Sequence, residues 1–140
     1  MSKTPFKKQS AVLAYRRSKK GLKVVLVTSL ETRRWVLPKG NIAEARSARA
    51  SAALEALEEA GVEGSLGKHS IGRYDYEKTE LKGGELCRVT VFPMEVSRIK
   101  RNWPEKHLRR RKWMTLKDAV AAVDEAGLKK LIARFGKSFG

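Results

Sequence analysis

The sequence predicts an α/β fold, a mixed β-sheet sandwiched by helices, and three observations carry that prediction. Two Val/Leu-rich runs, "SAVLAYR" and "LKVVLVTS", stand near the N-terminus with "RSKKG" between them. A segment of Ala, Leu and Glu over 48–60 follows. Strand-like runs then return before a helix-forming C-terminal stretch. At 140 residues the chain suits one core rather than two, so 9–136 is expected to form a single domain behind a mobile basic tail over 1–8.

Taken in order, the two Val/Leu runs read as a hairpin. "RWVLPKGN" reads as a short strand entering a Pro/Gly turn, and "IAEAR" has no period and reads as loop. Ser47 is placed as an N-cap before strong helix formers that run to about Ala60, and Gly61 is placed to stop them. Ala50, Ala53, Leu54, Leu57 and Gly61 share one arc of this helix, which is expected to pack on the sheet. "SLGKHSIGRYDYEK" and "ELCRVTVFPMEVSRI" are expected to be two antiparallel strands joined by "TELKGG", with Pro93 at an edge or a bulge. "RRRKWMTL" reads as a short strand leading to Thr115, which caps a helix to about Val123. A last helix places Leu128, Leu131, Ile132 and Phe135 on one face.

Charge narrows the classes of partner. The net charge is +16, a field that attracts polyanions: nucleic acid, anionic surfaces or small polyphosphates. It is uneven, since residues 1–23 carry eight Lys/Arg and no acid, and 100–112 carry seven against Glu105 alone. No apolar run reaches the roughly 20 residues of a membrane span, and the N-terminus has no apolar stretch of a signal peptide, so no membrane partner and a cytoplasmic location are expected. Cys87 is the sole cysteine, which excludes an internal disulfide framework.

Against that basic background "LEALEEAGV" gathers Glu55, Glu58 and Glu59 on one arc. Like charges at three- and four-residue spacing repel by roughly 0.2–0.5 kcal/mol per pair. No Lys or Arg of the same helix lies on that arc. One reading is a solvated acidic face. The other is a hard divalent cation, Mg²⁺ or Mn²⁺, chelated by Glu55 and Glu59 with Glu58 beside it.

The run from Gly40 to Val62 resembles the signature of the Nudix hydrolases, G-x5-E-x7-R-E-U-x-E-E-x-G-U, where U is bulky and apolar. Gly40, Glu55, Glu58, Glu59, Gly61 and Val62 match in register. In layout the chain is similar to the branch that cleaves diphosphoinositol and diadenosine polyphosphates, on the "RW" before the box and "W-P-E...RRRKW" near the end. Three positions depart: Arg46 stands where the family has its first glutamate, Leu54 where it has arginine, and Ala56 where it has a bulky residue. Because Arg46 and Leu54 change together, neither leaves an orphan partner, which reads as a remodelled support.

The resemblance implies a Nudix-type α/β/α sandwich and a metal-dependent pyrophosphohydrolase with Mg²⁺ or Mn²⁺ as cofactor. Glu55 and Glu59 are assigned as metal ligands, with the Lys39 carbonyl as a further oxygen. Glu58 is the candidate base, and Glu55 and Glu58 are open to an exchange of roles. The resemblance also places Lys7, Lys8, Arg88 and Arg109 on substrate phosphates. Arg33 and Arg34, in the approach to the box, join that set. The expected substrate is a small polyphosphate of inositol pyrophosphate or dinucleoside polyphosphate type. Alternatives are removal of pyrophosphate from an RNA 5′ end, or a weakly catalytic Nudix-fold module that binds RNA or polyphosphate. His69 and His107 have no ligand spacing. Trp35 and Trp113 read as core or pocket wall, and Trp103 as an anchor of the basic loop.

Overall fold

The computed structural model describes residues 6–78 and 84–139. The chain opens with β1 (Lys7–Ser18) and β2 (Gly21–Thr28), antiparallel from Tyr15 opposite Val24 to Ser18 opposite Gly21. Gly21, at φ 104°, makes the tight reversal between them. Two short strands follow, β3 (Trp35–Val36) on β2 and β4 (Lys39–Asn41) on β1. Of the expected tail, residues 1–5 lie outside the described residues, and Lys7 and Lys8 are in β1. The expected turn "TELKGG" also falls largely outside the described residues.

Helix α1 spans Ala48–Glu55 and begins at Ser47, whose hydroxyl accepts from the Ala50 N–H at 3.1 Å. Its last turn widens to π geometry over Ala56–Ala60, and Gly61 ends it in the left-handed region at φ 64°. The expected packing face is corrected here. Ser51, Ala52, Ala56, Glu59 and Ala60 are buried, Leu54 and Leu57 are half-buried, and Ala50 is exposed. The inward stripe is Ala48, Ala52, Ala56 and Ala60, at four-residue steps. Small side chains let the helix approach the sheet closely, and that closeness sinks Glu59.

Beyond Gly61 the expected single strand divides into β5 (Val62–Leu66) and β6 (Gly72–Glu77). Both pair antiparallel with the long β7 (Leu86–Ile99), β5 on its second half and β6 on its first. Pro93 sits where one partner hands over to the other, so β7 is flanked on both sides and Pro93 is not at an edge. Its carbonyl accepts from the Gly67 N–H at 2.8 Å, on the side where its own N–H is missing, and the gap between β5 and β6 leaves that loss unfelt. β8 (Arg111–Thr115) pairs with β2, and Thr115 caps α2 (Leu116–Ala122), followed by α3 (Ala126–Phe139).

Among the described residues the sheet has eight strands, with β1 and β7 parallel and every other pairing antiparallel. It is therefore mixed, as expected. One face packs Leu13, Val24, Leu26 and Val89 against Leu128, Leu131, Ile132 and Phe135 of α3. The other packs Val12, Val25, Val27, Phe92 and Met94 under α1. The α/β sandwich follows from strands that are apolar on both faces.

Candidate metal and diphosphate site

The start of the site is a close approach between β4 and α1. A Cβ on Gly40 would strike Cδ and Oε1 of Glu55, so the absent side chain is what lets that carboxyl rest there. One turn on, the Lys39 backbone N–H donates to Glu59 Oε1 at 3.1 Å. Arg109 Nη2 lies 3.3 Å from Glu59 Oε2. Both oxygens of one buried carboxylate are thus held, each by a different segment.

Burial pushes the Glu59 carboxyl up to about 8, opposed first by the Arg109 guanidinium and then by the Lys39 N–H, while Glu55 adds to the rise. Burial likewise raises Glu55, and the hydrogen bond with Glu59 works the other way. Lys39 is lowered by burial, against the pull of Glu59 and Glu125. Its ammonium lies 4.9 Å from the centroid of the Tyr76 ring. Gln9, Lys39, Glu59, Tyr76, Lys78 and Arg109 line a cleft that continues past Ser29 and Arg34 to Glu125.

The segment after β7 closes the helix end. Trp103 Nε1 donates to the Glu59 carbonyl at 3.2 Å, the Glu105 N–H to that of Glu58 at 3.0 Å, Arg111 to that of Ala60 at 2.9 Å and the Lys100 N–H to that of Gly61 at 2.8 Å. These are carbonyls that a helix terminus leaves without intrahelical partners. Arg111 also stacks its guanidinium 3.9 Å from the Trp103 centroid.

A divalent cation fits these residues. Glu55 and Glu59 are neighbouring oxygen donors, both raised by burial, and hard cations take such oxygens. Ser10, opposite Gly40 in the β1–β4 register, adds a fully buried hydroxyl without a protein partner among the described residues. No three His, Cys, Asp or Glu side chains among the described residues are already gathered as a chelating set, so the glutamate pair is the donor set presented.

The fold brings Lys39, Gly40, Glu55, Glu59 and Arg109 together, and Glu58 follows on the same helix, near enough for its charge to raise the Glu55 carboxyl. Arg34 lies on the cleft wall, paired with Asp124 at 3.0 Å and Glu125 at 3.2 Å. Arg33 is turned outward at φ 56° and donates to the Leu108 carbonyl at 2.9 Å. Lys8 is exposed and aligned with Arg88 by the parallel β1–β7 register. Arg88 makes two bonds to Asp75, at 2.9 and 3.2 Å, and lies over Phe6. Lys7 is 3.9 Å from Glu85. In the box, Arg46 is exposed, Leu54 half-buried and Val62 fully buried. Sequence reading missed Gln9, Tyr76, Lys78 and Glu125, which meet only through strand pairing. It could have found the Glu105–Arg109 pair, 2.8 Å apart, from its four-residue spacing.

A family model described as the NUDIX domain matches residues 7–135. The chain belongs to the Nudix family. The Arabidopsis thaliana protein "Nudix hydrolase 16, mitochondrial" is 33% identical over 107 residues, 74% of this chain and 59% of that protein. This Nudix chain spans little more than half the length of the first plant relatives it matches. "Diphosphoinositol polyphosphate phosphohydrolase 3-beta" of Bos taurus is 27% identical over 117 residues, 82% of this chain and 68% of that protein. The crystal structure of C. elegans Ap4A hydrolase shares the fold, with a TM-score of 0.72 at 20% identity over 97% of this chain and 100% of that one. The expected family and fold both hold. No helix among the described residues is long and apolar enough to cross a membrane.

Proposed function

We propose that this Nudix chain hydrolyses a diphosphate bond in a small, highly charged polyphosphate, of inositol pyrophosphate or dinucleoside polyphosphate type. The observation that carries the reading is the Glu55–Glu59 pair, hydrogen-bonded and raised by burial, with Glu59 on the wall of a cleft that Lys39, Lys78 and Arg109 also line. Glu55 and Glu59, with an oxygen from Lys39, would hold Mg²⁺ or Mn²⁺. When bound, such an ion neutralises charge on phosphoryl oxygens and makes water a stronger acid. Glu58, half-buried beside the pair, takes the proton of the attacking water. Lys7, Lys8, Arg33, Arg34 and Arg88 supply the positive surroundings that draw in and orient phosphates.

A second reading follows from the net charge of +16: the substrate is an RNA 5′ end, or RNA is bound with little turnover. A panel of inositol pyrophosphates, dinucleoside polyphosphates and 5′-triphosphorylated RNA, assayed for phosphate release with Mg²⁺ or Mn²⁺, separates these. Glu58→Gln and Glu59→Gln are each expected to lose most of the turnover. A wild type no faster than both variants on every substrate sinks the hydrolase reading. RNA binding that weakens with salt and survives both substitutions supports the binding module instead. The lone cysteine suits a reducing compartment such as the cytoplasm, which imaging of the tagged full-length protein tests.

A further inference from the structure

Helix α1 sets no cation beside its carboxylates, since residue 54 is leucine and its one arginine, Arg49, donates to the Leu66 and Gly67 carbonyls. Among the described residues Arg109 is the one side-chain cation within ion-pair distance of Glu59, and it comes from a loop fifty residues further along. Every contact it makes is directed. Nε donates to Glu105 Oε1 at 2.8 Å, Nη1 to the Thr28 carbonyl at 3.1 Å, and Nη2 faces Glu59 Oε2 at 3.3 Å. The side chain is only 11% exposed.

Its backbone is held as firmly. On one side the Arg110 N–H donates to Thr28 Oγ1 at 2.9 Å, and the Thr28 N–H returns a bond to the Arg110 carbonyl at 3.1 Å. On the other, Trp103 and Glu105 are bonded to carbonyls of the helix end. A guanidinium fixed by two bonds, through Nε and Nη1, presents Nη2 to one oxygen of Glu59, while the Lys39 N–H takes the other. Beyond these two contacts the carboxylate meets Glu55 through a side-chain hydrogen bond, and it is between these two carboxyls that a shared cation would sit.

We propose that Arg109 is the positioning residue for Glu59, holding the carboxylate beside Glu55 at the cation position, in place of a support from the helix itself. The inference deepens the proposed hydrolase reading and rests on it for the role of Glu59 as a ligand. It assigns Arg109 to Glu59 rather than to substrate phosphate. Partners that orient metal ligands typically change affinity or activity by roughly 10–100-fold when removed.

The test uses the full chain with Mn²⁺ as probe. Mn²⁺ affinity of the substrate-free protein is measured by electron paramagnetic resonance, kcat and KM on the best substrate of the panel, and melting by circular dichroism. Arg109→Ala is expected to weaken Mn²⁺ binding and to lower kcat by roughly 10-fold or more, with KM within about two-fold of wild type. Arg109→Lys, which keeps the charge but not the fork, is expected to fall between the two. A raised KM with unchanged Mn²⁺ affinity puts Arg109 on the substrate and overturns the proposal. Tighter Mn²⁺ binding makes Arg109 a competitor of the cation and overturns it as well.

Should Arg109→Ala fail to fold, Glu105→Ala carries the test, because it removes the shorter of the two bonds that fix the guanidinium while leaving Glu59 in place. Its Mn²⁺ affinity must fall, and an unchanged value overturns the proposal. A wild type that binds Mn²⁺ more tightly than Arg109→Ala but turns over nothing sinks the hydrolase reading and leaves the positioning role standing. Turnover with equal Mn²⁺ affinity in both proteins does the reverse. No Mn²⁺ binding by wild type ends both.

Discussion

Trp103 lies against Gly61 so closely that a Cβ on the glycine would come within 2.7 to 2.8 Å of three indole carbons. Gly61 is also in the left-handed region at φ 64°. Gly61→Ala therefore meets two costs, about 1–2 kcal/mol for the backbone and about 1–3 kcal/mol for overpacking. Urea unfolding is expected to show a loss of that combined order. A variant within about 0.5 kcal/mol of wild type, the range of ordinary surface changes, would mean the contact is not tight in solution.

Gly40→Ala makes a different demand. Its methyl would displace the Glu55 carboxyl, which is the movable end of a side chain, rather than backbone. The expected result is a nearly unchanged melting temperature with Mn²⁺ affinity reduced roughly 10-fold or more, as for other disturbances of a ligand's placement. Equal affinity in variant and wild type would remove Glu55 from the metal site.

The raised Glu59 carboxyl links stability to pH with a definite sign. Its folded value, about 8, exceeds its ordinary value of 4.5, so between the two the folded protein binds more protons than the unfolded chain. The metal-free protein is therefore expected to be most favoured by this group below 4.5 and to lose that contribution as pH rises through about 8. Melting of metal-free wild type compared with Glu59→Gln across that window checks it. The gap must move against wild type as pH rises. Cation binding must also release protons near neutral pH, visible as a dependence of calorimetric heat on the ionisation enthalpy of the buffer.

The alanine stripe of α1 is expected to be intolerant of size. Ala56 is fully buried between helix and sheet. Ala56→Leu, although it restores a bulky residue at that box position, is expected to destabilise by about 1–3 kcal/mol, measured by urea unfolding. A stabilised variant would mean the helix has room to move outward.

The Arg34 pairs with Asp124 and Glu125 are partly exposed, at 36% for the arginine side chain. Asp124→Asn is expected to cost no more than about 1 kcal/mol, and a loss well above that would show that the clasp holds the cleft wall in place.

Local chemistry made much of this fold legible. The hairpin, the Ser47 and Thr115 caps, the Gly61 stop and the apolar face of α3 are short-range choices, written in residues close in sequence. The division of one expected strand into β5 and β6 was not legible, because it depends on which half of β7 each segment meets. The buried face of α1 was misread for a related reason. Leucines outrank alanines in hydrophobicity, but close packing on a sheet selects the smaller side chains, and only the sheet reveals the distance available.

The sequence by itself determined the acidic box and the hard-oxygen chemistry it suits, since Glu55, Glu58 and Glu59 sit within two turns of one helix. The tertiary structure alone decided what answers that charge. Arg109, Lys39 and Trp103 reach Glu59 from segments 44 residues away at Trp103 and 20 at Lys39, where no helical spacing could announce them. A buried carboxylate needs donors at hydrogen-bond range, and distance along the chain says nothing about distance in space until the strands have paired.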